Sequence, residues 1–151
     1  MKKFKFKLET VLKYREMIEE QEKIKLAQLN AEMFRLTSEL EQLRILYKNE
    51  ISDFEQSMRN GIKIQEISGK QVIIKSMEYA IENKLKEISE QQKLINRQMA
   101  VVVKATQDKK VIEKLKERSL KRYKKTLLKA NERFIEEFIS YKSHVEDLPK
   151  F

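Results

Sequence analysis

Met58-Arg59-Asn60-Gly61-Ile62-Lys63-Ile64-Gln65-Glu66-Ile67-Ser68-Gly69 holds both glycines of a chain of 151 residues. It separates two long segments built from residues that favour helix. Asn60-Gly61 tolerates positive φ, and Ser68 can accept a hydrogen bond from a backbone N–H where a new helix begins. The stretch predicts a turn over about residues 59–69 between a first helix over about 5–58 and a second over about 70–146, in a single domain spanning 1–151. A lone glycine inside a helix costs only about 1 kcal/mol, so one uninterrupted rod with a soft point is the competing reading.

Composition supports helix on both sides. Charged residues make up 38% and aromatics 8%, which leaves little material for a globular core. The single proline, Pro149, lies near the end, and Lys, Glu, Leu, Ile and Gln propagate helix well. The expected class is all-α. A disordered polyampholyte would share this composition but not the regular apolar spacing.

That spacing is a coiled-coil seam. In the first segment Leu26, Met33, Leu40, Tyr47 and Phe54 fall at a, and Leu29, Leu36 and Leu43 at d, with Glu50 interrupting. Upstream, Leu8, Val11, Leu12 and Ile18 keep an apolar face while Arg15, Glu19 and Glu22 spoil its register. The second segment carries Ile74, Ile81, Leu85, Ile88, Ile95, Met99 and Val102, broken by Gln92. It resumes with Leu120, Tyr123, Leu127, Ala130, Phe134 and Tyr141 after an apolar-poor stretch.

Folding the segments back about residue 65 makes an antiparallel two-helix hairpin and sets Glu16, Glu19, Glu20 and Glu22 near Lys109, Lys110 and Lys114. The same register carries Leu127–Val145 past the N-terminus, where Phe134, Phe138, Tyr141 and Val145 find no partner within the chain. An uncovered stripe of this kind is a docking surface or a dimer seam.

The net charge is +9, and it is unevenly placed. Residues 1–70 carry 14 Lys and Arg against 12 Asp and Glu, and residues 71–151 carry 19 against 12. The second segment is therefore suited to an acidic partner. The basic run Lys104–Lys129 could neutralise phosphates, which makes nucleic acid a rival partner, but Asp108, Glu113 and Glu117 dilute it. Its one aromatic, Tyr123, fits the seam.

Enzyme chemistry has little to work with. The chain has no Cys, one histidine, His144, and no glycine-rich phosphate loop. Neither zinc-type nor calcium-loop spacing occurs, so no catalytic residue, metal or cofactor is expected. The absence of Cys fits a reducing compartment. The start, Met1-Lys2-Lys3-Phe4-Lys5-Phe6-Lys7-Leu8, is basic but lacks the apolar region of a secretion signal, and the run Met99–Val103 is too short to span a bilayer.

Three pieces of this sequence resemble the flagellar export protein FliJ family. They are the opening Phe4-Lys5-Phe6-Lys7-Leu8-Glu9-Thr10-Val11-Leu12-Lys13-Tyr14-Arg15, the turn Met58-Arg59-Asn60-Gly61-Ile62, and the basic Val111-Ile112-Glu113-Lys114-Leu115-Lys116-Glu117-Arg118. The resemblance implies a non-enzymatic, cytoplasmic hairpin like a rotary-ATPase central stalk, associated peripherally with the inner membrane at the flagellar base. It implies docking in the hexameric flagellar export ATPase, contact with the cytoplasmic domain of the export gate, escort of export chaperones, and no nucleic acid.

The gate-binding positions would be Ile73, Met77, Ala80 and Lys84, of which Ala80 alone is identical to the family's best-known form. Their steps of 4, 3 and 4 share a helix face, which packing against the first segment would explain equally. The ring would be met by the free ends. Lys2, Lys3, Lys5, Lys7, Arg122, Lys124, Lys125 and Lys129 form a basic collar there, around Phe134, Phe138 and Tyr141. Two other readings stay open: a basic nucleic-acid-binding coiled coil, and a structural rod that dimerises through its uncovered stripe.

Overall fold

Two α-helices account for nearly the whole chain, because almost nothing in the sequence interrupts them. The computed structural model describes residues 2–146, with α1 at Glu9–Asn60 and α2 at Ile64–Glu146. Of the described residues 93% are helical, and the helices pack against each other as a hairpin.

The turn is shorter than the sequence suggests. Gly61 takes φ +80°, a left-handed conformation that ends α1, and Lys63 accepts backbone bonds from Glu66 at 3.0 Å and Ile67 at 3.1 Å as α2 begins. Ser68 and Gly69 therefore lie inside α2, and Ser68 does not cap it. The hairpin centres near residue 62 rather than 65, and the register shifts with it. Tyr47 Oη donates to Glu78 Oε1 at 2.9 Å, where a fold about 65 would set it opposite residue 83.

The two glycines should respond oppositely to substitution. A Cβ at either position meets nothing within 4 Å, so only backbone conformation matters. Gly61→Ala should cost about 1–2 kcal/mol through its positive φ. Gly69→Ala should add about 0.5–1 kcal/mol by removing helix-interior glycine entropy. Urea unfolding of the two variants checks this, and equal shifts would contradict the placement of the turn.

The described chain clusters into two compact units. In residues 20–104, α1 and α2 run antiparallel over a seam whose buried members include Leu36, Leu40, Ile74 and Ile95. The a and d residues expected in α1 are all buried or half-buried. On α2, Leu85 and Met99 turn out of the seam, at 43% and 51% exposure. Lys84, Gln91 and Gln98 take the inward positions instead, because steps of 3 and 4 through Ile74, Ile81, Ile88, Ile95 and Val102 land on them.

Each inward polar group finds a partner across the seam. Lys84 Nζ bonds Glu39 Oε2 at 2.7 Å, Gln91 Nε2 donates to the Leu29 carbonyl at 3.0 Å, and Gln98 Nε2 donates to the Glu22 carbonyl at 3.0 Å and to its Oε2 at 2.6 Å.

The second unit comprises residues 1–19 and 105–151. Here Leu12 and Ala105 are buried, and the groups that break the apolar pattern pair with one another. Arg15 meets Asp108 at 3.5 Å, Glu19 meets Lys109 at 3.0 Å, and Glu9 meets Lys116 at 2.9 Å. Within this unit the contact between α1 and α2 is largely polar.

α1 begins at Glu9 rather than near residue 5. Phe4-Lys5-Phe6-Lys7 has a period of two, and its phenyls are the inward groups: Phe6 is 8% exposed and Phe4 half-buried, while Lys3, Lys5 and Lys7 face out. This strap is held by Phe4 against the Tyr123 ring, 5.5 Å between centroids, and by Tyr123 Oη donating to the Lys2 carbonyl at 2.9 Å.

Candidate docking site

The strap decides which part of α2 stays uncovered. Tyr123, Leu127 and Ala130 are half-buried, whereas every residue from 131 to 146 is exposed. The uncovered stripe thus begins after Ala130, not at Leu127. Phe134 is 69% exposed, Phe138 61% and Tyr141 71%.

Two residues widen it. Ile135 and Ile139 follow Phe134 and Phe138 by one position and are themselves 56% and 61% exposed, so the stripe is two side chains broad. The signal was legible as a second apolar row one step beside the first.

The expected collar residues Lys2, Lys3, Lys5, Lys7, Arg122, Lys124, Lys125 and Lys129 are all exposed, in the same unit as the stripe. Other cations of the basic run are engaged within the chain. Lys109 serves Glu19, Lys116 serves Glu9, and Lys121 pairs with Glu117 at 3.3 Å. Tyr123, the aromatic that base stacking would use, is spent on Phe4 and the Lys2 carbonyl.

The second set lies in residues 20–104 and is less uniform. Ile73 is 47% exposed, Met77 and Ala80 are half-buried, and Lys84 turns into the seam. Hydrogen bonds to Glu39, then Glu87, raise the Lys84 ammonium above its ordinary value, and the same contact lowers the Glu39 carboxyl. Lys84 therefore anchors α2 to α1 while Ile73 faces solvent.

Among the described residues no cluster of His, Cys, Asp or Glu could hold a metal, and no helix is long and apolar enough to cross a membrane. His144 is exposed on the extension of α2.

Fold and surface together define a class: a basic antiparallel helical hairpin that presents an uncovered apolar helix end and, in the same unit, a set of exposed cations. The model of the family described as Flagellar FliJ protein matches residues 4–146, nearly the whole chain, and the chain belongs to that family. Its place is thus among the components of flagellar export, in a family known as structural and non-catalytic. Neither a curated protein nor a solved structure matches it.

Proposed function

We propose that this chain is a non-enzymatic stalk that docks in the ring of the flagellar export ATPase and links it to the export gate. The observation that carries the reading is the exposed stripe Phe134, Phe138 and Tyr141 in a unit that also displays eight exposed collar cations. Long-range charge would steer the chain toward an acidic ring lumen, and the apolar stripe would seat it. Ile73, with the outer edges of Met77 and Ala80, would meet the cytoplasmic domain of the gate. Escort of export chaperones is a further role that family membership suggests, at the inner-membrane face of the flagellar base.

Deleting residues 131–151 tests the docking. The truncated chain should keep its hairpin, because the cross-helix bonds to Leu29, Glu39, Glu22, Glu19 and Glu9 all come from α2 residues before 131, and it should lose stimulation of ATP hydrolysis by the export ATPase. Full stimulation by the truncated chain would overturn the reading. Tight, salt-sensitive binding of duplex DNA without effect on the ATPase would favour the nucleic-acid alternative.

A further inference from the structure

The uncovered end of α2 carries a pattern of its own. Phe134, Phe138, Tyr141 and Val145 follow one another by 4, 3 and 4, with Phe138 and Val145 at a and Phe134 and Tyr141 at d. An antiparallel copy centred between Ile139 and Ser140 sets Phe134 against Val145 and Phe138 against Tyr141, so each a meets a d.

The flanks agree with that register. Glu137 and His144 occupy successive g positions and line one shallow groove of about 490 Å³ with Tyr141. In an antiparallel pair g faces g, which brings each Glu137 to the His144 of the other copy. The lysine at the flanking e position, Lys142, faces Ile135, where its aliphatic stem covers the side chain.

Other partners fit less well. The extension holds Glu132, Glu136, Glu137 and Glu146 against Arg133 and Lys142, an excess of carboxylates that disfavours phosphate-rich surfaces such as anionic lipid or nucleic acid, whereas between two copies Glu132, Glu136 and Glu146 fall at the outer b and f positions and Glu137 alone flanks the seam. The strap also leaves room, since it reaches α2 at Tyr123 and residues 131–146 are clear of it.

We propose that a second copy of this chain covers the α2 extension, pairing antiparallel through Phe134, Phe138, Tyr141 and Val145 with Glu137 opposite His144. The contact is small, so the dimer is reversible, forming at concentrations on the order of 100 µM. It would compete with ring docking for the same stripe. It does not rest on ring docking: a chain that dimerises without stimulating the ATPase leaves it standing, and a chain that stimulates without dimerising removes it.

Sedimentation equilibrium of the full chain should show a monomer–dimer equilibrium that Phe138→Asp weakens about 30-fold or more, with helical content unchanged by circular dichroism. Glu137→Lys should weaken it about 2- to 5-fold, and adding His144→Glu should restore it. The chain has no Cys of its own, so single spin labels report the orientation. Labels at Ser140→Cys should lie within about 15 Å of each other, and at Glu132→Cys roughly 20–25 Å apart. A chain that stays monomeric, a dimer indifferent to Phe138→Asp, or short distances at both labels would each overturn the proposal.

Discussion

Leu36→Ala should lower the unfolding free energy by about 2–4 kcal/mol, and Ile95→Ala should do the same, because both residues are among the few that this thin structure buries. Each is only 5% exposed, and no side chain of the described residues falls below 2%. A two-helix seam has one layer of core and nothing behind it. The loss is therefore of packing that no neighbour can replace, and the cost sits in the lower half of the usual range because water can partly fill the gap.

Leu85→Ala and Met99→Ala provide the contrast. These positions look like seam residues in the sequence but are about half exposed, and their truncation should cost less than about 1 kcal/mol. Urea unfolding of the four variants separates the cases. Equal costs for Leu85 and Leu36 would mean that α2 is rotated from the orientation described here.

Lys109→Leu should destabilise the unit around Glu19 more than Glu19→Leu does, and the double substitution should recover most of the loss. Glu19 has a side chain 7% exposed, bonded at 3.0 Å by Lys109, whose own exposure is 21%. Removing the lysine strips a buried carboxylate of a cation. Removing the carboxylate leaves Lys109 with Glu113 at 3.8 Å and with some access to water. Two leucines would extend the apolar seam, so the melting midpoint should fall by several degrees in Lys109→Leu and return toward that of the parent chain in the pair.

The pH dependence has a definite sign. Bonding to Glu19 raises the Lys109 ammonium above its ordinary value, so the contribution is complete below about pH 10.4, the unfolded lysine value, and is lost as pH climbs through the folded one. At the other end, Lys84 holds the Glu39 carboxyl low. That contribution is complete above about pH 4.3 and is lost as pH falls through the lower folded value. Stability should be flat between these limits and decline outside them, and the chain carrying both Lys109→Leu and Glu19→Leu should show a smaller alkaline decline, the part from Lys84 remaining, with the acid decline from Glu39 unchanged.

The hairpin was legible because apolar spacing and glycine position are local signals. Leu26 to Phe54 at alternating steps of 3 and 4 named the inward face of α1, and the Asn60-Gly61 pair named the turn. The polar part of the seam was not legible in the same way. Arg15, Glu19 and Glu22 look like defects in the apolar pattern, although folding the segments back already sets Glu19 near Lys109, which it meets. Lys84 reads as part of a binding face and nothing singles out Gln91 and Gln98, because hydrophobic spacing alone does not show which polar groups on different helices meet.

The strap was missed for a related reason. Lys-Phe-Lys-Phe has a strand-like period next to a helical pattern, and extending the helix over it hid a segment that covers Tyr123 and sets where the free stripe begins. The stripe itself was visible as Phe134, Phe138 and Tyr141, since its residues continue the seam after its partner has run out. What such a surface meets lies outside the periodicity of one chain.

The most direct test of ring docking uses the absence of Cys in the sequence. Single cysteines placed at 127, 134, 138 and 141 can be labelled with a maleimide in the free chain and in its complex with the export ATPase. The account predicts slow labelling at 127 in both states, and fast labelling at 134, 138 and 141 in the free chain that falls sharply on addition of the ATPase. Undiminished labelling at those three positions, in a complex that still stimulates ATP hydrolysis, would contradict it.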